Sequence, residues 1–226
     1  MEKLMYLLNN PNGGTLTQSA VRRLGEALAQ RGASYIAINI TDLNDAVQAA
    51  APARIMGNWQ PLAAVVEFWL DSLDTRADIE SLLQAECANI AGYLVTESVV
   101  QSFEQDWSSI RRPGVTQFTA LNKPADVSDE DFYRNWQGKH SASSFDLHPQ
   151  RWSYIRNAVA RPLTPNAPVY RALVLEHFYE LEDFTDDSIY FGSQEAIAEM
   201  VADVAGYCDV TTMISGPASE FLFAWD

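Results

Sequence analysis

The 226-residue chain is short of cysteine, of positive charge and of long apolar runs, and each shortage narrows the possibilities. Two cysteines, Cys87 and Cys208, build no disulfide framework, which fits a reducing cytoplasm. Fifteen Lys and Arg against thirty Asp and Glu leave a formal charge of −15. Such a chain repels phosphate backbones and anionic bilayers, so neither nucleic acid nor membrane is expected as a partner. The longest apolar runs, such as PLAAVVEFWL, are too short to span a bilayer and hold a glutamate. The opening MEKLMYLLNNPNGG carries an acid at position 2 and reads as a strand, not as a signal peptide.

Chemical signatures are scarce too. No P-loop, G-x-G-x-x-G or G-x-S-x-G is present, so no nucleotide cofactor and no serine elbow is indicated. No histidine pair has i,i+3 or i,i+4 spacing, and neither cysteine has a histidine nearby. Metal binding and a thiol nucleophile are therefore poorly supported. The run ELEDFTDD (180–187) lacks the alternating ligands and glycine of a calcium loop and reads as a solvated acidic loop.

What is there is a hydrophobic share of 47%, enough for a globular core. A strand is expected over Lys3 to Leu8, a helix over Thr17 to Gln30, and strands over Ser34 to Thr41 and Leu62 to Asp71. A helix capped near Asp74 and a strand in AGYLVTESVV complete the order β-α-β-β-α-β. After a linker near Asp106 to Pro113 the order recurs. GVTQFTALN, RWSYIRNAVA, VYRALVLEHFYEL and SEFLFAW are the strands; SDEDFYRNWQGKH and SQEAIAEMVADVAGY are the helices. The fold class is α+β: two ferredoxin-like βαββαβ repeats, residues 1–105 and 113–226, whose sheets cover each other as a barrel-like pseudo-dimer. Echoes support duplication: Glu67 precedes Phe68-Trp69 much as Glu176 precedes His177-Phe178, and Thr96-Glu97 and Ser219-Glu220 both open a last strand.

SDEDFYRNWQGKH is the most informative stretch. Ser128 with Asp131 resembles a capping box, and Phe132, Trp136 and His140 recur at four-residue spacing on one helical face, with Tyr133 beside them. His140 has the right intrinsic pKa for proton transfer near neutrality. The alternative is a helix-terminal histidine that binds a free carbonyl and complements the helix dipole. The corresponding helix of the first repeat, TQSAVRRLGEALAQ, has no aromatic residue and no histidine, so a pocket belongs to the second repeat. His148, before a proline in DLHPQR, reads as a loop residue. Strand alternation points Glu176 and His177 to opposite faces, with Glu176 the preferred inward group.

F-x-x-x-W-x-x-x-H at 132–140, LVLEHFYELEDF and the terminal SEFLF resemble the EthD-domain family over about residues 114–223. The first repeat keeps VVEFWLDSLD and TESVV and looks like a degenerate copy. The resemblance implies a dimeric α+β barrel with a sheet–helix cavity for small apolar molecules. It makes His140 the acid–base residue, Trp136 and Phe132 its wall, and Glu176 and Glu220 weaker members. Tyr133, Trp152 and Tyr170 join as candidate substrate contacts. The function expected is a cofactor-independent acid–base step, such as a dehydration or isomerisation, on an apolar aromatic or carbonyl compound. The alternative is a non-catalytic carrier serving an oxygenase, with a homodimer open in either case. Because some proteins of that barrel group bind haem, His140 as an axial ligand is a third reading, ranked last for want of a c-type attachment motif.

Overall fold

A computed structural model describes residues 1–10, 16–41, 47, 49, 56–57, 62–102 and 110–223. The strands are β1 (Glu2–Asn9), β2 (Ser34–Thr41), the two-residue β3 (Met56–Gly57), β4 (Leu62–Leu70), β5 (Asn89–Gln101), β6 (Val115–Leu121), β7 (Arg151–Pro162), β8 (Ala172–Phe178) and β9 (Ile214–Phe223). The helices are α1 (Gln18–Ala29), α2 (Arg76–Glu86), α3 (Asp129–Tyr133), α4 (Ser141–Leu147), α5 (Leu181–Thr185), α6 (Asp187–Tyr190) and α7 (Gln194–Ala205). A π-helical segment, Arg134–His140, joins α3 to α4 without a break.

All strand pairings are antiparallel, in the order β2-β4-β1-β5-β7-β8-β6-β9, and β2 pairs with β9 to close eight strands into a barrel. Ile36 stands opposite Phe223 and Thr41 opposite Ala218 at that closure, while β3 extends the same edge of β9 at Ser215 and Ile214. Each half contributes its four long strands in the same spatial sequence: second, third, first, fourth. Among the described residues no helix is long and apolar enough to cross a membrane.

Closure explains why several strands have no polar face. Residues one apart point to opposite sides of a strand, and here both sides are covered, one by the barrel interior and the other by helices. Met5, Leu7, Val65, Phe118, Leu173 and Leu175 fill the interior. Leu4, Tyr6 and Leu8 of the first half pack outward against Val21, Leu24 and Leu28 of α1. In the second half Tyr154, Ala172 and Val174 meet Phe132, Trp136 and Val204. Solvent-facing positions appear where strands outrun their helical cover, as at Thr96 and Ser98 of β5 and Ala160 and Arg161 of β7.

Several expectations need correction. Thr17, read as the first residue of a helix, is its cap, and Ser128 caps its helix as read, but the Ser128 hydroxyl also donates to the Asp131 carboxylate, so the reciprocal backbone bond of a capping box is not the one formed. Ser72, not Asp74, supplies the cap before α2; its hydroxyl receives the Asp74 N–H at the head of a 3₁₀ turn. ELEDFTDD is solvent-exposed at Glu180, Glu182, Asp186 and Asp187 as read, but it is helical instead of a loop: a capping box between Glu180 and Asp183 starts α5, Asp186 caps α6, and Phe184 and Tyr190 are buried. Thr96-Glu97 and Ser219-Glu220 lie well inside their strands instead of opening them. The linker reading falls partly on 103–109, outside the described residues. Its end is structural: Arg111 bridges to Phe221, and buried Arg112 pairs with Glu220 at 2.7 Å.

Glu67 and Glu176, taken as equivalent, face opposite sides of the barrel wall. Glu67 points inside, where Lys3 lies 2.6 Å away, and Glu176 points out under the helices. Glu176 and His177 do take opposite faces, yet both are buried, because neither face of β8 meets water.

Candidate functional site

The 129–147 helix does not end at His140. Its middle seven residues are π-helical, and the chain continues through α4 to Leu147. That placement removes the helix-terminal carbonyl from His140, and π segments commonly mark functional positions. Phe132 and Trp136 are fully buried on the side facing the sheet, and His140 follows them with 14% of its side chain exposed.

A cavity of about 260 Å³ lies between strands β6 to β9 and the helices of the second half. Trp136, Val174, Met200 and Val204 form part of its apolar wall, and His140, His148, Glu176 and Tyr207 reach it as polar groups. The size is at the small end for a pocket enclosing one compact molecule, and the mix of apolar walls with a few convergent polar groups is typical of such sites.

The His140 ring is oriented from α7. Its Nδ1 lies 2.8 Å from Asp203 Oδ2, and Lys139 Nζ lies 2.9 Å from the other carboxylate oxygen. A carboxylate only accepts, so it places the imidazole proton on Nδ1 and leaves the Nε2 lone pair as the available base. Burial pulls the Asp203 carboxyl up, but its bonds to Lys139 and His140 prevail and hold it below the usual carboxylate range. The Tyr207 ring packs 5.5 Å from His140. Burial pushes the Tyr207 phenol far above its ordinary pKa, and its hydroxyl makes no hydrogen bond among the described residues.

Glu176 sits at the floor, where Arg151 Nη1 donates to Oε1 at 2.7 Å. Burial alone would raise this carboxyl, but the guanidinium prevails and keeps it below its ordinary value. Glu176 is therefore an ionised acceptor rather than a proton donor. Arg151 is fully committed: Nη2 donates to Ser144 Oγ at 3.1 Å, Nε to Gln101 Oε1 at 3.2 Å, and the guanidinium lies 4.2 Å above the Tyr154 ring. His148 is 94% buried, since its relative exposure is 6%. Its ring packs 4.7 Å from Tyr190, Nδ1 faces the Tyr190 carbonyl at 3.4 Å, and burial pushes its pKa down to about 4.

Of the eight residues singled out in the sequence, three line this cavity: His140, Trp136 and Glu176. Phe132 lies behind Trp136, with ring centroids 5.8 Å apart, and Tyr133 leans on both. The other three are elsewhere. Trp152 packs against His177 and Tyr179, Tyr170 lies against Tyr93 in the barrel interior, and Glu220 pairs with Arg112 inside the barrel. A β-bulge between Arg151 and Ser153 is the cause for Trp152, since it shifts the alternation of β7 and puts Arg151 and Tyr154 on the cavity side instead. Glu220 belongs to a separate cavity of about 340 Å³ at the barrel mouth, with Lys3, Glu67, Glu97 and Arg112. Burial pushes its carboxyl up.

Sequence reading missed Asp203, His148, Arg151 and Tyr207. Only Asp203 left a signal: it is the acid flanking the apolar face Ile197, Met200, Val201 and Val204 of α7. The loop reading of His148 was right about backbone and wrong about burial, because the chain folds back beneath α6 directly after it.

No family model and no curated protein matches the chain. Solved structures do. An anthrone oxidase-like protein superposes with a TM-score of 0.55 at 9% identity, covering 98% of this chain and 92% of its own. A Fusobacterium nucleatum protein provisionally named a monooxygenase gives 0.49 at 7% identity, covering 98% and 91%. A heme-binding protein of Thermus thermophilus gives 0.45 at 12% identity, covering 98% and 90%. The likeness is one of fold. It rests on the first of these, and the chain is a mixed α/β protein with a closed eight-stranded antiparallel barrel of the α+β type.

Proposed function

We propose that the protein is a small-molecule enzyme without an organic cofactor, using His140 as the proton-transfer group on an apolar aromatic or carbonyl compound held in the second-half cavity. One observation carries this reading: the 2.8 Å contact of His140 Nδ1 with Asp203, which leaves Nε2 as base in a ring that borders the cavity. A positioned base of this kind supplies roughly a hundredfold to ten-thousandfold acceleration, enough for an isomerisation or dehydration of an activated carbonyl. Trp136 and Val174 exclude water from the reacting atoms. Glu176 serves as a fixed negative pole and hydrogen-bond acceptor. The anthrone oxidase-like name of a fold neighbour agrees with a small aromatic substrate.

The same reading makes the chain two ferredoxin-like repeats, 1–105 and 113–226, the second EthD-like and the first a degenerate copy. The recurrent strand order supports it. The buried free thiols of Cys87 and Cys208 suit a reducing cytoplasm. A second reading, a non-catalytic hydrophobic-ligand carrier, is favoured by the Arg151 clamp on Glu176, which removes one of two proposed catalytic groups.

Thermal unfolding in the presence of small aromatic and carbonyl compounds tests the proposal. A ligand at a hundred times its Kd adds about 2.7 kcal/mol. Wild type and Asp203→Asn should both respond, but only wild type should turn the compound over at full rate. Equal turnover in the two proteins, or a wild type that responds to nothing, sinks the acid–base reading. Binding without turnover in either leaves the carrier.

A further inference from the structure

The cavity presents hydrogen-bonding groups whose proton positions are fixed by their neighbours, and those positions describe a ligand. His140 donates a hydrogen bond from Nδ1–H to the Asp203 carboxylate and keeps its proton there. His148 faces a backbone carbonyl with Nδ1, at Tyr190, so its proton also sits there. In both rings the remaining nitrogen, Nε2, is an acceptor, and neither Nε2 makes a hydrogen bond among the described residues while both rings line the cavity. A third acceptor, the Glu176 carboxylate, lines the same cavity. The donors that reach the cavity are neutral, among them the Tyr207 hydroxyl, the Thr119 and Ser215 hydroxyls paired at 2.9 Å, and the Gln117 amide, whose oxygen already accepts from Tyr190 Oη at 2.6 Å.

Among the described residues, the cations nearest the cavity are already engaged by other groups. Arg151 spends its three nitrogens on Glu176, Ser144 and Gln101. Lys139 is bound to Asp203 and is mostly exposed. A carboxylate or phosphate entering here would meet Glu176 and two imidazole lone pairs. An alkoxy group would strand those lone pairs, and leaving a buried polar group unpaired is costly enough to decide specificity.

The two imidazoles come from different stretches of chain. His140 ends the π-helical segment, and His148 follows the last residue of α4 with non-helical backbone, yet both rings line the one cavity. A ligand with two hydroxyl groups can therefore be received at two separate points.

Resting on the ligand-cavity reading above, we propose that the site selects a compact, apolar, non-anionic compound bearing two hydroxyl groups, one received by His140 Nε2 and the other by His148 Nε2. His148 is thereby a specificity-determining residue. It needs no change of protonation to act, since burial keeps it neutral over the ordinary pH range.

The test is titration calorimetry on the whole chain at neutral pH with three probes: 2,6-dihydroxynaphthalene, 2,6-dimethoxynaphthalene and 6-hydroxy-2-naphthoate. The 2,6-diol should bind at least about tenfold tighter than the other two, a difference of about 1.4 kcal/mol. In His148→Phe the preference for the 2,6-diol over its dimethyl ether should fall to within about twofold while the ether still binds. His148→Gln, which keeps an acceptor, should retain most of the preference, and it also covers the case in which the Phe variant does not fold. Equal binding of diol and ether by wild type, or a preference that survives in His148→Phe, overturns the inference and leaves the ligand cavity standing. If no probe binds to folded wild type, the ligand-cavity reading falls and this inference falls with it.

Discussion

In the first half of the barrel, α1 lies so close to the sheet that a Cβ on Gly25 would meet the Phe223 ring at 2.4 Å. In the second half, α7 and the π-containing helix stand off the sheet and leave about 260 Å³ between them. The strand order is the same in both halves. What differs is the filling. Tyr6 stacks on Phe68 at 5.7 Å, and Gly92 makes room for the Tyr6 ring, so aromatic side chains lie flat and consume the space. Across the barrel, Arg151, Glu176 and His148 stand where apolar side chains would otherwise close the layer, each tied to a partner at the cavity's edge. One arrangement of strands thus supports a solid face and a hollow one, and side-chain chemistry on the outward positions of β7 and β8 decides between them.

The sharpest way to break this contrast is Arg151→Met. It leaves the buried Glu176 carboxylate without its guanidinium and should destabilise the protein by about 3–5 kcal/mol in chemical denaturation. Replacing both partners, as Arg151→Met with Glu176→Leu, should recover most of that loss, since the pair defines the cavity more than it stabilises the fold.

Acid should act through the second half, which holds all three histidines. His148 and His177 are kept neutral by burial, with pKa values pushed down to about 4 and about 3. Below pH 6.5 the unfolded chain binds protons at both, and the folded protein does not. Their contribution is therefore complete above pH 6.5 and is lost as pH falls toward 4, on the order of 3 kcal/mol for His148. Urea unfolding from pH 7 to 4.5 should show that slope, and His148→Phe should flatten it. A slope unchanged in the variant would place the titrating group elsewhere.

Small-to-large substitutions should have opposite signs in the two halves. Gly25→Ala should cost about 1–3 kcal/mol, because the added methyl has only the Phe223 ring to displace. Val174→Phe, pointing into the cavity, should raise stability by about 0.5–2 kcal/mol while abolishing any ligand response. If both substitutions destabilise equally, the second half is as tightly filled as the first and the contrast fails.

The element order was legible because it depends on local pattern. Ser34 to Thr41 was read to the residue, and the helix read over Thr17 to Gln30 is α1 with those two residues as its caps. The aromatic–histidine face was legible for the same reason: Phe132, Trp136 and His140 are neighbours along one helix. The opposite placement of Glu176 and His177 on β8 was legible from strand alternation, but burial of both faces was not.

Tertiary structure alone decided the rest. The bulge at Arg151 exchanges the sides taken by Arg151 and Trp152, and it arises from pairing with β8, not from any residue in β7 that announces it. The π segment moves the end of the helix from His140 to Leu147. Asp203 reaches His140 across 63 positions of chain, and Glu220 is drawn away to Arg112 by the closure of β9 on β2. A sequence fixes which side chains a short helix or strand can present together. Which of them share a cavity depends on contacts whose partners are distant in the chain, and those exist only once the barrel has closed.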